Sequence, residues 1–235
     1  MNRARMQRRV PKVGWLNRFL RMMLTLSQRP VDTRFAEYRT KTKLFLPFDG
    51  EWYVFWGGRT VGQNRHAKVQ CQRFAYDFLV LRQGKSSGGS GEANTDYYCF
   101  GLPVYAPGDG TVVQAEDDVP DNLPGILNAR QLLGNHVILD HGNGEFSFLV
   151  HLKGGSVRVR TGDRVHAGDM IGECGNSGHS SEAHLHYHLQ TAPVLAAGEG
   201  LPAQFVDYIA NAKKVGCGEP VAGETIRSQR EHNRQ

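Results

Sequence analysis

The chain has 235 residues, 40% hydrophobic and 22% charged, enough to bury one substantial core in a single domain or in two small ones. Its net charge of +5 is unevenly placed, because residues 1–43 hold 12 Lys and Arg against 2 Asp and Glu. The remaining body is mildly acidic, which argues against a nucleic-acid-binding body and leaves only a basic N-terminal segment suited to an anionic surface.

In chain order, residues 1–12 carry Arg3, Arg5, Arg8, Arg9 and Lys12. After Pro11, apolar residues at Leu16, Leu20 and Met23/Leu24, with Arg18 and Arg21 toward the other side, have the spacing of an amphipathic helix. The arginines interrupt the apolar core that a signal peptide needs, and no small-residue cleavage site follows. The run is also too short and too charged to span a bilayer. A helix docked on the body, a membrane-surface anchor and a remnant export signal all stay open for it. Residues 1–42 therefore form a basic N-terminal segment, 43–212 the body and 213–235 a C-terminal tail without a functional clue.

From Lys43 the texture turns to short β-rich runs separated by Gly and Pro. The runs at 44–48, 51–56, 74–80, 110–115, 136–140, 145–152, 157–160, 170–174 and 184–189 read as strands. Turn signals such as Asp49-Gly50, Pro107-Gly108-Asp109-Gly110 and His141-Gly142-Asn143-Gly144 punctuate them. Many short, closely spaced strands predict an all-β, mostly antiparallel sandwich or open barrel, with minor helices at 126–133 and 202–212. Cys71, Cys99, Cys174 and Cys217 form no C-x-x-C pair, so they read neither as a zinc knuckle nor as a thioredoxin-like site, and the redox compartment stays undecided. Cys174, inside an apolar run, reads as a buried thiol.

Chemistry concentrates on three runs. In Ala183-His184-Leu185-His186-Tyr187-His188-Leu189 a strand would place His184, His186 and His188 on one face and Leu185, Tyr187 and Leu189 on the other; a helix would separate the histidines. Imidazole is both the commonest metal ligand and a general base near neutral pH, so histidines on one strand face can divide those jobs. In the run 145–152, alternation puts His151 with Ser147 and Leu149, opposite Phe146, Phe148 and Val150. Asp77 stands in the middle of a run otherwise fit for a core, where an ionised carboxylate needs a partner: a salt bridge to an arginine such as Arg73, or a metal shared with His186.

The motifs around these residues resemble the lysostaphin/LytM-type zinc metallopeptidase family. They are Gly101-Leu102-Pro103-Val104-Tyr105-Ala106-Pro107, Asp109-Gly110-Thr111-Val112-Val113, the run 136–144, Val150-His151-Leu152, the run 159–172, Gly175-Asn176-Ser177-Gly178 and His184-Leu185-His186-Tyr187. The likeness covers roughly residues 64–189 and keeps the family's motif order. It implies a mostly antiparallel β fold with a groove across one sheet, one zinc ion per chain, and hydrolysis of peptide bonds, typically in peptidoglycan. It also implies a location in the cell envelope, periplasmic or extracellular. By the same resemblance His186 and Asp77 are metal ligands, and His151 and His184 act on the substrate and the attacking water.

One ligand departs from the family pattern. The usual histidine four residues before the aspartate is here Arg73. The combination of Asn64-Arg65-His66 with Gln72-Arg73-Phe74-Ala75-Tyr76-Asp77 resembles a branch of the family in which the upstream histidine serves, so the resemblance assigns His66, with His136 and Cys71 as alternatives. A short excursion can return to the same metal because loop closure costs grow slowly with length. His188, where the family more often has glutamate or glutamine, reads as a groove-edge residue or a support for the ligands. His141 and His179, in glycine-rich turns, read as solvated.

Two readings compete. A non-catalytic binding or regulatory module on the same fold is one. A biotinyl- or lipoyl-like carrier is the other, suggested by the texture of 159–172, but such a barrel needs a lysine at a hairpin tip within its modification motif and none is present.

Overall fold

The computed structural model describes residues 33–230; the amphipathic helix and basic run expected at the N-terminus lie outside the described residues. The described residues hold thirteen strands: β1 (Glu51–Trp56), β2 (Tyr76–Leu79), β3 (Pro103–Tyr105), β4 (Gly110–Glu116), β5 (Asn135–Asp140), β6 (Phe146–Leu152), β7 (Arg164–Val165), β8 (Met170–Glu173), β9 (Leu185–Gln190), β10 (Gly200–Leu201), β11 (Phe205–Ala210), β12 (Lys213–Gly218) and β13 (Thr225–Ser228). The helical elements among the described residues are short 3-10 turns at Arg65–Lys68, Gln70–Gln72, Asn94–Asp96 and Leu195–Ala197. The fold is thus all-β and antiparallel throughout its ladders.

One 11-stranded sheet runs in the order β12-β11-β13-β1-β2-β9-β6-β5-β4-β7, with β10 on β9; β3 and β8 make a separate pair. The order places β2, β9 and β6 side by side at its centre. β2 and β9 are buried along their whole length, so their polar residues are held in a desolvated layer. One face of the sheet packs the core. Phe48 stacks on Trp52 at 4.5 Å, Tyr76 on Phe78 at 5.2 Å, and Phe205 meets Tyr187 at 5.3 Å. Such aromatic pairs contribute about 0.5–1.5 kcal/mol each beyond the area they bury. A smaller cluster of Ile138, Phe148 and Val150, with Leu133 and Leu195 against it, covers part of the other face.

Several expectations change. Residues 202–212 hold a strand, not a helix: Asp207 takes a positive φ of 52°, and burial falls at Phe205 and Tyr208, three apart, which mimics helical spacing in the sequence. Residues 126–133 form turns, because their backbone groups are spent on a neighbouring loop: Asn128 N donates to Gly178 O at 3.0 Å, and His179 N to Leu132 O at 3.1 Å. The runs at 44–48 and 157–160 are extended segments with single bonds to neighbours, not ladder strands. Residues 213–228, read as a tail, supply β12 and β13, and β13 lies directly against β1.

Candidate metal centre and flanking histidines

Residues directly opposite one another in antiparallel strands share a face. The pairings Trp56 with Asp77, Asp77 with His186, His186 with Val150, Val150 with His136 and His136 with Glu116 therefore define one row across the sheet. Asp77 and His186 sit at its centre, 3% exposed each. His186 Nδ1 lies 2.8 Å from Asp77 Oδ1.

His66 reaches the same carboxylate from outside the sheet. Its Nε2 is 3.0 Å from Asp77 Oδ2. The excursion that carries it is pinned by the fully buried Asn64, whose side-chain oxygen accepts from His66 N at 2.9 Å and whose amide donates to Arg73 O at 3.0 Å and Ala75 O at 3.1 Å. One asparagine thus caps the 3-10 turn bearing His66 and ties it to the start of β2. His66, Asp77 and His186 offer ligand atoms within 4.8 Å of one another, the one group of this kind among the described residues. Neither alternative for the third position joins them. The ring of His136 donates from Nδ1 to Gly134 O at 2.7 Å, and Cys71 is buried within the 3-10 turn Gln70–Gln72.

Electrostatics suit a cation. Burial alone would raise the Asp77 carboxyl, but the charges of His66 and His184 and the bonds from His186 and His66 outweigh it and hold it well below the usual carboxylate range. Burial pushes His186 down to about 4, against the pull of Asp77, so its imidazole is neutral near pH 7, as a metal ligand must be. Two imidazoles and a carboxylate are a donor set for zinc, with fewer protein ligands than a closed structural site uses. The close partners of Asp77 are the histidines His66, His184 and His186, whose ring nitrogens stand 3.0, 3.7 and 2.8 Å from its carboxylate oxygens.

His151 arrives by an irregularity. Strand alternation would turn it to the core face, away from His186. The β5–β6 register instead jumps from His136 with Val150 to Asn135 with Leu152, and His151 takes a φ of 65° as the unpaired residue. That bulge brings its ring to the histidine face, 4.9 Å from His184 and 5.7 Å from His186 between centroids. Its Nδ1 donates to Ser177 O at 2.9 Å, which leaves Nε2 with the lone pair. Burial, then the charges of His184 and His186, hold its pKa well below the ordinary histidine value. His184 precedes β9; its Nδ1 donates to Glu182 O at 2.8 Å, and its Nε2 stands 3.7 Å from Asp77 Oδ1. A groove of about 150 Å³ opens beside them, lined by Trp56, Arg65, Asp77, Leu79, Glu182 and His184 among others.

Three supports were not singled out by their sequence pattern. Buried Asn135 bridges Val119 and Leu152, buried Ser177 accepts from Asn135 N at 2.9 Å and donates to Leu152 O at 2.6 Å, and Ser180 sits 3.2 Å from His184 Nδ1. The signal was there as small polar residues inside glycine-rich turns, but nothing local distinguishes them from solvated ones. His188 is fully buried, stacked on Phe148 at 4.4 Å, with Nδ1 3.1 Å from His186 Nε2. His141, expected to be solvated, is bonded to Asp109 O and Ser147 Oγ, both at 2.7 Å; His179 is exposed.

Residues 93–201 match the model of peptidase family M23. That span includes His151, His184 and His186; His66 and Asp77 lie before it. Peptidoglycan DD-endopeptidase ShyA of Vibrio cholerae is 34% identical over 105 residues, 44% of this chain and 21% of that protein. Peptidoglycan DD-endopeptidase ShyC of the same organism is 34% identical over 94 residues, 40% of this chain and 18% of that protein. The chain thus spans about a fifth of the length of these curated relatives. The solved catalytic domain of lysostaphin from Staphylococcus simulans aligns with a TM-score of 0.37 at 21% identity, over 65% of this chain and 88% of that one. On its motifs and on this family match, residues 93–201, a little under half of the chain, are similar to peptidase family M23.

Proposed function

We propose that the protein is a zinc-dependent endopeptidase acting on peptide cross-links or bridges of peptidoglycan in the cell envelope. The observation that carries this reading is the convergence of His66 Nε2, the Asp77 carboxylate and His186 Nδ1, with His151 and His184 beside them. Those three residues would hold the ion. Zinc, when bound, supplies a Lewis acid and a water of lowered pKa.

The chain's own residues do the rest. His151 and His184 each fix Nδ1–H on a backbone carbonyl, Ser177 O and Glu182 O. Each therefore presents Nε2 as the atom that accepts a proton. The neutral state that burial imposes on His151 suits it to take the proton of the attacking water and return it to the departing amine nitrogen. The depressed Asp77 keeps its charge throughout, and fixes His66 and His186 in place. The groove bounded by Trp56, Arg65 and Glu182 is where an extended peptide would lie.

The test is elemental analysis for zinc in the purified chain, followed by digestion of intact peptidoglycan with mass-spectrometric reading of the released fragments. About one zinc per chain and new peptide termini support the proposal. Absence of metal points instead to the binding-module reading, and metal without cleavage of peptidoglycan would move the search to protein substrates.

A further inference from the structure

The mechanism makes no use of the cysteines, yet two of them meet in the core. Cys99 is 1% exposed and Cys174 not at all, and both belong to the same buried cluster. They are brought together by a tight turn. Leu102 N donates to Cys99 O at 3.1 Å, and Gly101, third residue of the turn, takes a φ of 77°, a conformation that glycine adopts without strain. The far side of the turn then bonds Cys174 in both directions: Gly101 N donates to Cys174 O at 2.7 Å, and Cys174 N to Leu102 O at 2.8 Å. These bonds extend the two-stranded β3–β8 ladder, which ends at Pro103 with Glu173, so the turn folds Cys99 back over the open end of that ladder.

At that end of the ladder Cys99 is the thiol neighbouring Cys174. Cys99 Sγ donates to Ala183 O at 3.0 Å. Cys99's hydrogen is thus committed to a carbonyl. Both remaining cysteines are placed differently: Cys217 is exposed and Cys71 lies in the 3-10 turn behind His66.

We propose that Cys99 and Cys174 are a cross-linking site, joined as a disulfide when the chain folds in the presence of a small-molecule or protein disulfide. The Cys99 Sγ–Cys174 Sγ bond forms as both sulfurs give up their hydrogens. The S–S bond of the oxidant breaks, and it leaves as two thiols carrying those protons and electrons. The cross-link closes the free end of the β3–β8 pair. It also fixes the root of the loop that starts at Gly175, the loop whose Ser177 carbonyl holds His151 and whose end precedes His184.

Burial sets the timing. Burial and the neighbouring Cys99 push the Cys174 thiol up, so the thiolate that exchange chemistry needs is scarce in the folded, reduced chain. The bond therefore forms before the core closes, and once formed it is shielded from reductants.

The test uses the full wild-type chain. It is unfolded and reduced, refolded with a mixture of reduced and oxidised glutathione, then alkylated under denaturing conditions and digested for mass spectrometry. The expected product is a peptide pair linked through Cys99 and Cys174, lighter by two hydrogens than the separate peptides, with Cys71 and Cys217 alkylated. Folded reduced protein given the same oxidant should acquire the link far more slowly. Alkyl groups or glutathione on both Cys99 and Cys174 after oxidative refolding would overturn the proposal, as would a link from either of them to Cys71 or Cys217. Thermal denaturation supplies the second reading: the cross-linked form should melt roughly 5–10 °C above the reduced form, and identical midpoints would refute the clamp even if the bond is present.

Discussion

Asp77 and His186 stand directly opposite each other in the β2–β9 ladder, and each is the closest charged or titrating neighbour of the other, with Nδ1 and Oδ1 2.8 Å apart. A cross-strand pair of this kind has its geometry set by the backbone register, so the chain itself positions the two atoms proposed to hold zinc. Asp77→Asn keeps the size of the side chain while removing its charge. The variant should fold and lose most of its zinc, measured as metal per chain after dialysis against a weak chelator. His66→Ala and His186→Ala should do the same. Retention of wild-type zinc by Asp77→Asn would remove that residue from the ligand set.

His151 and His184 make a different prediction because their Nδ1 atoms are already committed to carbonyls of the loop between β8 and β9. His151→Ala and His184→Ala should each keep zinc at the wild-type level and lower turnover by about 10²–10⁴-fold, the usual worth of a positioned acid or base. Metal content and turnover are to be measured on the same preparation. Loss of zinc in either variant would reassign that residue as a ligand.

The legible part of this architecture was the part governed by short-range rules. Alternation along 184–189 correctly put His186 and His188 on one face, because β9 is a regular strand. Asp77 in an apolar run demanded a partner by the energetics of burial alone. The approach of His66 was visible only through its likeness to related motifs, since nothing local tells that Asn64 will bond to Arg73 and Ala75 carbonyls. Alternation failed at His151, where one left-handed residue reverses the face. It failed again at 202–212, where buried positions three apart imitated a helix. In each case a single backbone irregularity, set by tertiary neighbours, overrode the period of the sequence.

The ring of His188 gives a test of how the proposed ligand His186 is held. Its Nδ1 is 3.1 Å from His186 Nε2, it stacks on Phe148, and its own Nε2 is buried without a hydrogen-bond partner. A ligating His186 has its lone pair on Nδ1 and its proton on Nε2, so His188 is the acceptor that fixes this arrangement. His188→Phe preserves the stack and removes the acceptor. Zinc affinity, measured by competition with a chelator, should fall about 10–100-fold, and His188→Asn, whose side-chain oxygen can accept, should recover part of it. Equal affinities in wild type and His188→Phe would mean that packing alone orients His186.

Glu145 offers a prediction away from the metal. It is fully buried, and its carboxylate accepts from Tyr38 Oη at 2.8 Å, Lys41 N at 2.7 Å, Thr42 N at 2.8 Å and Thr42 Oγ1 at 2.5 Å, fastening the segment that precedes the body. Burial by itself would raise this carboxyl, but the bonds from Thr42, Lys41 and Tyr38 together bring it below its ordinary value. A carboxyl depressed on folding adds stability that is present above its unfolded pKa, about 4.3, and is lost as pH falls through the folded value. Glu145→Gln should therefore be less stable than wild type by about 2 kcal/mol near neutral pH. The gap should narrow as the pH is taken below about 4, where the wild-type carboxyl also becomes neutral. Denaturant titrations of both proteins across that range measure it. A difference that stays constant with pH would show that Glu145 acts through shape and not through its charge.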